Sequence, residues 1–201
     1  MAIVPGQTPP PATPPKIIYV SFSAEINANT TESLLAVMSN CANQKVESVY
    51  LMLSTPGGTV MHGLNLYNVL RALPFRLTTH NVGNVDSIGN AIFLAGETRY
   101  ACPHSTFMFH GVGFNSPAGA RFEEKSLRER LESILADQNR IGSIMEERTK
   151  LGNEEIKGLF RDAQTKDATY AVGRGIVHEV RDVQIPPGST VVSLVFQRQG
   201  V

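Results

Sequence analysis

The sequence predicts an α/β fold in which parallel strands are joined by helical crossovers, and three observations carry that prediction. Short apolar runs alternate three times with amphipathic helical runs across short connections, the arrangement of right-handed βαβ units. Two of the strand runs lead straight into glycine-bearing turns, and the carboxyl ends of parallel strands are where such sheets hold their ligands. One long helical run, Arg121 to Lys150, fills much of the second half. With 201 residues, 42% hydrophobic and 18% charged, the chain has the size and composition of one globular domain with a sizeable core.

Residues 1–15 contain six prolines among small residues and read as a disordered arm of polyproline character, leaving 16–201 as the domain. Ile17 to Phe22 reads as a buried strand. Asn29, with Glu32 three positions on, resembles a capping box that opens a helix through about Cys41. A second strand, Ser48 to Leu53, runs into Pro56-Gly57-Gly58. From Thr59 to Leu73 the residues Val60, Leu64, Tyr67, Val69 and Leu70 fall near helical spacing, and Pro74 ends the run. Phe75 to Val82 forms a third strand and Ser87 to Leu94 a short helix, followed by strand-like pieces at Arg99–Cys102 and Thr106–Phe109. Residues 111–119 read as an exposed loop.

The run Arg121 to Lys150 carries an apolar stripe of Leu127, Leu131, Ile134, Ile141 and Met145 on a charged background. At 1.5 Å per residue it spans about 45 Å, longer than a domain of this size needs. It either lies along its own domain or projects as an arm that buries its stripe on another subunit. The arm is the better reading, because loop 111–119 feeds it with no sign of a sheet partner.

Bulk properties narrow the function classes. Formal net charge is zero, which removes steering toward nucleic acid or an anionic membrane. No apolar run approaches the roughly 18 residues of a membrane helix, and the start of the chain lacks the basic and hydrophobic regions of a secretory signal. Cytoplasmic location is the default. Cys41 and Cys102 are far apart and form no metal-ligand spacing, so free thiols in a reducing compartment are expected. Neither a metal cluster nor a nucleotide-binding loop is present in the pattern, and no cofactor is expected.

The chemistry concentrates in three places. Ser87 follows a glycine-containing turn, Gly83 to Asp86, and opens a helix, where N–H groups stabilise developing negative charge. Serine is also a common helix cap, so position alone favours that simpler role. Gly57-Gly58 is either a plain tight turn or a turn whose positive φ aims an N–H into a cleft. His110 ends the apolar run Phe107-Met108-Phe109; His62 and His80 fall in mid-helix and mid-strand, His104 in a turn and His178 in a late strand. A carboxylate should orient the histidine. Asp167 precedes a short helical segment and reads as its cap, which leaves Asp162 as the better orienting residue; Asp86 would point away if Ser87 points into the cleft.

Taken together these residues resemble the proteolytic subunit of Clp protease, a serine peptidase on the ClpP/crotonase fold, over roughly residues 16–182. Ser54-Thr55-Pro56-Gly57-Gly58 is similar to the family's Asn-Ser-Pro-Gly-Gly turn, and Gly83 to Gly89 to its nucleophile turn, continued by Leu94-Ala95-Gly96. Phe107 to His110 resembles the strand ending in the catalytic histidine, residues from about 111 to 150 the handle that interlocks two rings, and Ala171 to Val177 the closing segment. The resemblance implies a spiral of βαβ units with a protruding handle helix. It implies Ser87 as nucleophile, His110 as base, and the N–H groups of Gly58 and Ile88 as the oxyanion hole. Counting back from Gly175, the family's aspartate position falls on Ala163, one residue from Asp162. Asp86 replaces a small residue, Gly111 a glutamine and His178 an aspartate, which marks a divergent branch.

The expected function is therefore serine endopeptidase action on unfolded polypeptide by a Ser87-His110-Asp162 triad. Homo-oligomers are implied, as heptameric rings stacked in pairs, with a separate ATP-dependent unfoldase as partner. Two alternatives stand beside it: a ring subunit with reduced catalysis and an assembly role, and a crotonase-type acyl-CoA enzyme that shares the fold but needs no serine.

Overall fold

The computed structural model describes residues 16–196. The proline-rich segment 1–15 lies outside the described residues, as does the end of the chain after 196.

Alternation of strand and helix produces the expected α/β layers. Strand β1 (Ile17–Ser23) is followed by α1 (Ala28–Asn43), β2 (Ser48–Thr55), α2 (Val60–Ala72), β3 (Arg76–Asp86) and the short α3 (Gly89–Phe93). Then come β4 (Thr98–Ala101), β5 (Thr106–Met108), α4 (Glu124–Arg148), α5 (Asn153–Asp162), β6 (Thr165–Asp167), α6 (Ala168–Gly173), β7 (Glu179–Val180) and β8 (Thr190–Leu194). The sheet order is β6-β5-β3-β2-β1-β8, with β4 pairing β3 and β7. Every pairing is parallel except β5 with β6.

Local chemistry explains most element ends. The α1 capping box sits two residues earlier than Asn29–Glu32: Asn27 Oδ1 accepts from Thr30 N, and Thr30 Oγ1 accepts from Asn27 N, both at 3.0 Å. A threonine hydroxyl does what glutamate was expected to do. Helix α2 stops as predicted, because Leu73 before Pro74 is pushed to an extended ψ of 144°. Strand β3 runs four residues beyond the predicted Val82, and its two halves face different partners. Thr78–Asn81 pair with β4 and Asn84–Asp86 with β5. That hand-over carries the strand to the edge of the functional site.

Helix α4 divides along its length. Ile141, Ile144 and Met145 are buried in the core, whereas Leu127, Leu131 and Leu135 remain 48%, 55% and 47% exposed. The apolar stripe is thus shared between the helix's own domain and a face left open. At the base of α4, Arg99 is 5% exposed and carries its charge among carbonyls alone. Its guanidinium donates to the main chain of Gly96, Arg148, Gly175 and Ile176 at 2.7 to 3.1 Å, which fixes the end of α4 to β4 and to the turn after α6. Burial, with Arg148 and Arg71 nearby, lowers its pKa to about 10.

This packing lowers the pKa of two histidines. His178, just before β7, accepts from the Arg99 N–H through Nδ1 at 3.0 Å. Buried His80 accepts from Tyr50 Oη at Nδ1 (2.6 Å) and donates from Nε2 to the Arg181 carbonyl (3.0 Å). Burial is the first cause lowering both pKa values, reinforced at His178 by Arg99 and Arg148. A histidine with a lowered folded pKa contributes full stability above its unfolded value near 6.5 and loses it as pH falls through the folded one. The melting temperature should therefore drop between pH 7 and pH 5. His178→Asn, which keeps an acceptor for Arg99 but does not titrate, should flatten that drop; an unchanged slope in melts of the variant would refute this source.

Both cysteines are free, Cys41 buried and Cys102 partly so. Among the described residues no helix is long and apolar enough to cross a membrane.

Candidate active site

Ser87 stands where β3 gives way to α3, and its backbone is unusual. Its φ of +57° is left-handed, a conformation that costs a non-glycine residue about 1 kcal/mol. Ser87 is therefore no cap: Ile88 takes the cap position of α3. The turn is held by main-chain and amide bonds. Ser87 N donates to the Met108 carbonyl at 2.8 Å, and Asn90 Nδ2 donates to the carbonyls of both Ser87 (3.0 Å) and Met108 (2.8 Å). The serine turn and the strand leading to His110 are thus tied together.

Glycines at 57 and 58 allow the second turn to press against the first. A Cβ at Gly57 would lie 2.6 Å from Ser87 Cβ, and one at Gly58 would lie 2.2 Å from the Ile26 carbonyl oxygen. Their φ values are +88° and +147°. Ile26 N donates to Gly57 O at 2.7 Å and Thr59 N to Ile26 O at 2.8 Å, so the turn is bracketed on both sides of Gly58. Neither Gly58 N–H nor Ile88 N–H donates to another group among the described residues.

His110 follows β5 and is exposed. Its neighbours are pinned: Phe109 N donates to Gln164 O and Gly111 N to Phe160 O, each at 2.9 Å. Val112 N donates to Gln138 Oε1 on α4 at 3.1 Å, and an atom at Gly111 Cβ would stand 2.7 Å from that oxygen. These bonds bring the end of α5 alongside His110. There Asp162 closes the helix, and Ala163 turns the chain at a φ of +48°.

The carboxylate of Asp162 is engaged locally. It accepts from Arg161 Nε at 2.9 Å, Arg161 Nη2 at 3.3 Å and Gln164 Nε2 at 3.4 Å, with no bond to His110 among the described residues. The Arg161 hydrogen bond is the main reason its pKa lies below the usual carboxylate value. Asp167 accepts from Tyr170 N at 2.8 Å and caps α6, as its sequence context suggests. Register pairs it with Thr106, four residues before His110, which keeps it away from the imidazole.

Ser87, His110, Gly58 and Ile88 line one cleft of about 280 Å³. Its wall is apolar, built largely from Val60, Val112, Ile141, Met145 and Phe160. A nucleophile-type hydroxyl, an imidazole and two unengaged N–H groups beside an apolar cavity are the components of acyl transfer.

Two contributors escaped the sequence reading. Asn90, three residues after Ser87, is 2% exposed and cross-links the serine turn to β5. Gln138 falls between Ile134 and Ile141 at helical spacing, a polar residue interrupting an apolar stripe, and that interruption was its only signal.

Residues 16–184 match the Clp protease family. The chain belongs to that family. It is a divergent ClpP-type proteolytic subunit, a peptidase. An ATP-dependent Clp protease proteolytic subunit of Oltmannsiellopsis viridis is 28% identical over 145 residues, 69% of this chain and 70% of that protein. A mutant ClpP1 from Listeria monocytogenes has a similar fold, with a TM-score of 0.73 at 21% identity across 83% of this chain and 92% of its own. The expected α/β architecture with a ClpP-like arrangement is thus shared with a solved relative.

Proposed function

We infer that this ClpP-type subunit is a serine endopeptidase that hydrolyses unfolded polypeptide, with Ser87 as nucleophile and His110 as base. The observation that carries the reading is the strained Ser87 turn opening on the same cleft as His110. His110 takes the hydroxyl proton as Ser87 Oγ attacks the peptide carbonyl carbon. The carbonyl oxygen becomes an oxyanion beside the N–H groups of Gly58 and Ile88, where preorganised donors act without reorganising. The protonated imidazole then passes its proton to the leaving amine, and water, activated by the same base, releases the acyl group from Ser87.

Asp162 is the carboxylate proposed to orient the imidazole. Backbone bonds on both sides of His110 bring its loop alongside, and its carboxylate must exchange Arg161 for the histidine to serve. The apolar wall suits a substrate with an apolar side chain at the residue whose carbonyl is attacked. A fluorophosphonate that reacts with activated serines should label Ser87 in the assembled full chain, as read by peptide mass spectrometry; an unlabelled Ser87 overturns the reading.

The open face of α4 supports self-association; rings of subunits enclosing these sites, a separate ATP-dependent unfoldase and a cytoplasmic location belong to the same proposal by analogy with the family. Leu127, Leu131 and Leu135, each about half exposed, would contribute about 1 kcal/mol apiece on being covered by a partner. Leu131→Glu with Ile134→Lys should reduce the particle to smaller species in light scattering while the far-ultraviolet spectrum stays unchanged. Unaltered mass would remove α4 from the interface.

A further inference from the structure

Strands β2 and β3 lose their pairing just before the two turns of the site. The ladder runs to Leu53 opposite Asn81 and resumes at Thr55 opposite Val85, so two steps on β2 answer four on β3. Across this break side chains replace the ladder. Asn84 stands in the gap: Nδ2 donates to the Thr55 carbonyl at 3.1 Å and to Asp86 Oδ2 at 2.6 Å, while Oδ1 accepts from Ser54 Oγ at 3.1 Å. Thr55 carries the link onward, its Oγ1 accepting from Gly57 N at 3.1 Å.

We propose that Asp86 is a positioning residue for hydrolysis at Ser87, acting through Asn84 and Thr55 to set the Gly57-Gly58 turn against the serine. The proposal rests on the serine-peptidase reading above.

Three features support it. A carboxylate accepts and does not donate, so Asp86 Oδ2 obliges Asn84 to present its NH2 group on that side. The Ser54 hydroxyl donates or accepts equally well and makes no such choice. Were the amide reversed, its oxygen would face the Thr55 carbonyl oxygen, and the tie to β2 would become a repulsion. Asp86 and the Thr55 carbonyl therefore fix the direction of the bridge together, and the shorter of the two bonds ties it to the residue before Ser87.

Next, Asp86 Oδ1 is buried without a partner. A stranded acceptor lowers stability, so a residue retained for stability alone is a poor explanation of its presence. Finally, Asp86 reaches both turns. Its main chain leads into Ser87, and its carbonyl oxygen lies 2.8 Å from where a Gly57 Cβ would be. Its side chain meets the same glycine turn by way of Asn84 and Thr55.

The test is peptide hydrolysis by the assembled full chain. It compares wild type with Ser87→Ala, Asp86→Ala, Asp86→Asn, Asn84→Ala and the Asp86→Ala/Asn84→Ala double variant, each with a thermal melt. Misplacing a catalytic donor by around an ångström costs up to about a hundredfold. Asp86→Ala should accordingly lower kcat by about ten- to a hundredfold, with KM within about twofold and a melting temperature equal to or above wild type. Asn84→Ala should reproduce the loss, and the double variant should be no slower than the worse single one, because both act through one bridge. Asp86→Asn retains an accepting oxygen and should recover most of the activity without moving the pH profile of kcat.

Wild-type kcat in Asp86→Ala overturns the proposal. So do additive losses in the double variant, or an Asp86→Asn enzyme that is as slow as the alanine variant or has a displaced pH profile. If Asp86→Ala does not fold, Asn84→Ala and Asp86→Asn decide the matter by the same criteria. Hydrolysis that is undiminished in Ser87→Ala overturns the peptidase reading itself and this proposal with it.

Discussion

Ser87→Ala is expected to reduce kcat for an unstructured peptide by about ten-thousandfold to a millionfold, while KM moves little. Ser87 and His110 act as one unit in the proposed reaction, so removal of the hydroxyl removes covalent catalysis entirely. What persists is binding in the cleft and the pull of the Gly58 and Ile88 N–H groups on the carbonyl oxygen. The loss corresponds to about 5 to 8 kcal/mol of transition-state stabilisation. The fold should barely notice the change. Ser87 is anchored through its main chain, by N to Met108 O and by its carbonyl to Asn90, and alanine keeps both. Assembly, melting temperature and substrate capture should survive in a protein that no longer cleaves. Steady-state hydrolysis beside light scattering reads the two properties separately. A Ser87→Ala protein that cleaves at more than about a hundredth of the wild-type rate would place the nucleophile elsewhere.

How much of this was legible beforehand depended on the range of the interactions concerned. Ser87, His110, Gly58 and Ile88 share a cleft because parallel strands deliver their carboxyl ends to one edge, and strand ends can be read from apolar runs. The length of β3 was not readable in this way. Val82, Gly83 and Asn84 carry no apolar alternation, yet they continue the strand because the ladder is handed from β4 to β5 and side chains span the lapse beside β2. A break in register is a property of two strands, and neither strand's sequence announces it. Asp162 shows a different limit. Counting along the chain places it near His110, but the direction of its carboxylate depends on competition between Arg161, its immediate neighbour, and an imidazole distant in sequence. In α4 the helical period was visible throughout, but periodicity does not say which part of a stripe faces its own domain. That division, with Ile141 and Met145 inside and Leu127 and Leu131 outside, depends on packing against α3 and α5, elements distant from the stripe's own pattern.

Gly58→Ala is expected to be the most damaging change that leaves every catalytic side chain in place. At a φ of +147° the residue occupies backbone space that alanine rarely enters, and the added Cβ would sit 2.2 Å from the Ile26 carbonyl oxygen. The next-nearest atoms, the carbonyl carbon and nitrogen of Ile26, each lie 2.9 Å away and are also main chain. No side chain can rotate aside to make room. Ile26 is itself bonded to Gly57 O and Thr59 N, so the turn must swing away and carry with it the Gly58 N–H, the proposed oxyanion donor. Losing one such donor to an oxyanion lowers kcat by about a hundred- to a thousandfold. The backbone strain costs about 1 to 3 kcal/mol of stability besides. Because the donor matters most when charge develops on the carbonyl oxygen, affinity for a peptide boronate should fall in parallel with kcat, and KM should move much less. Gly158→Ala provides the comparison. It lies within α5 with nothing near its would-be Cβ, and alanine there should raise stability by about 0.5 to 1 kcal/mol. If Gly58→Ala retained both its rate and its boronate affinity, the oxyanion could not be resting on this turn, and the close approach of Gly58 to Ile26 would be a matter of packing alone.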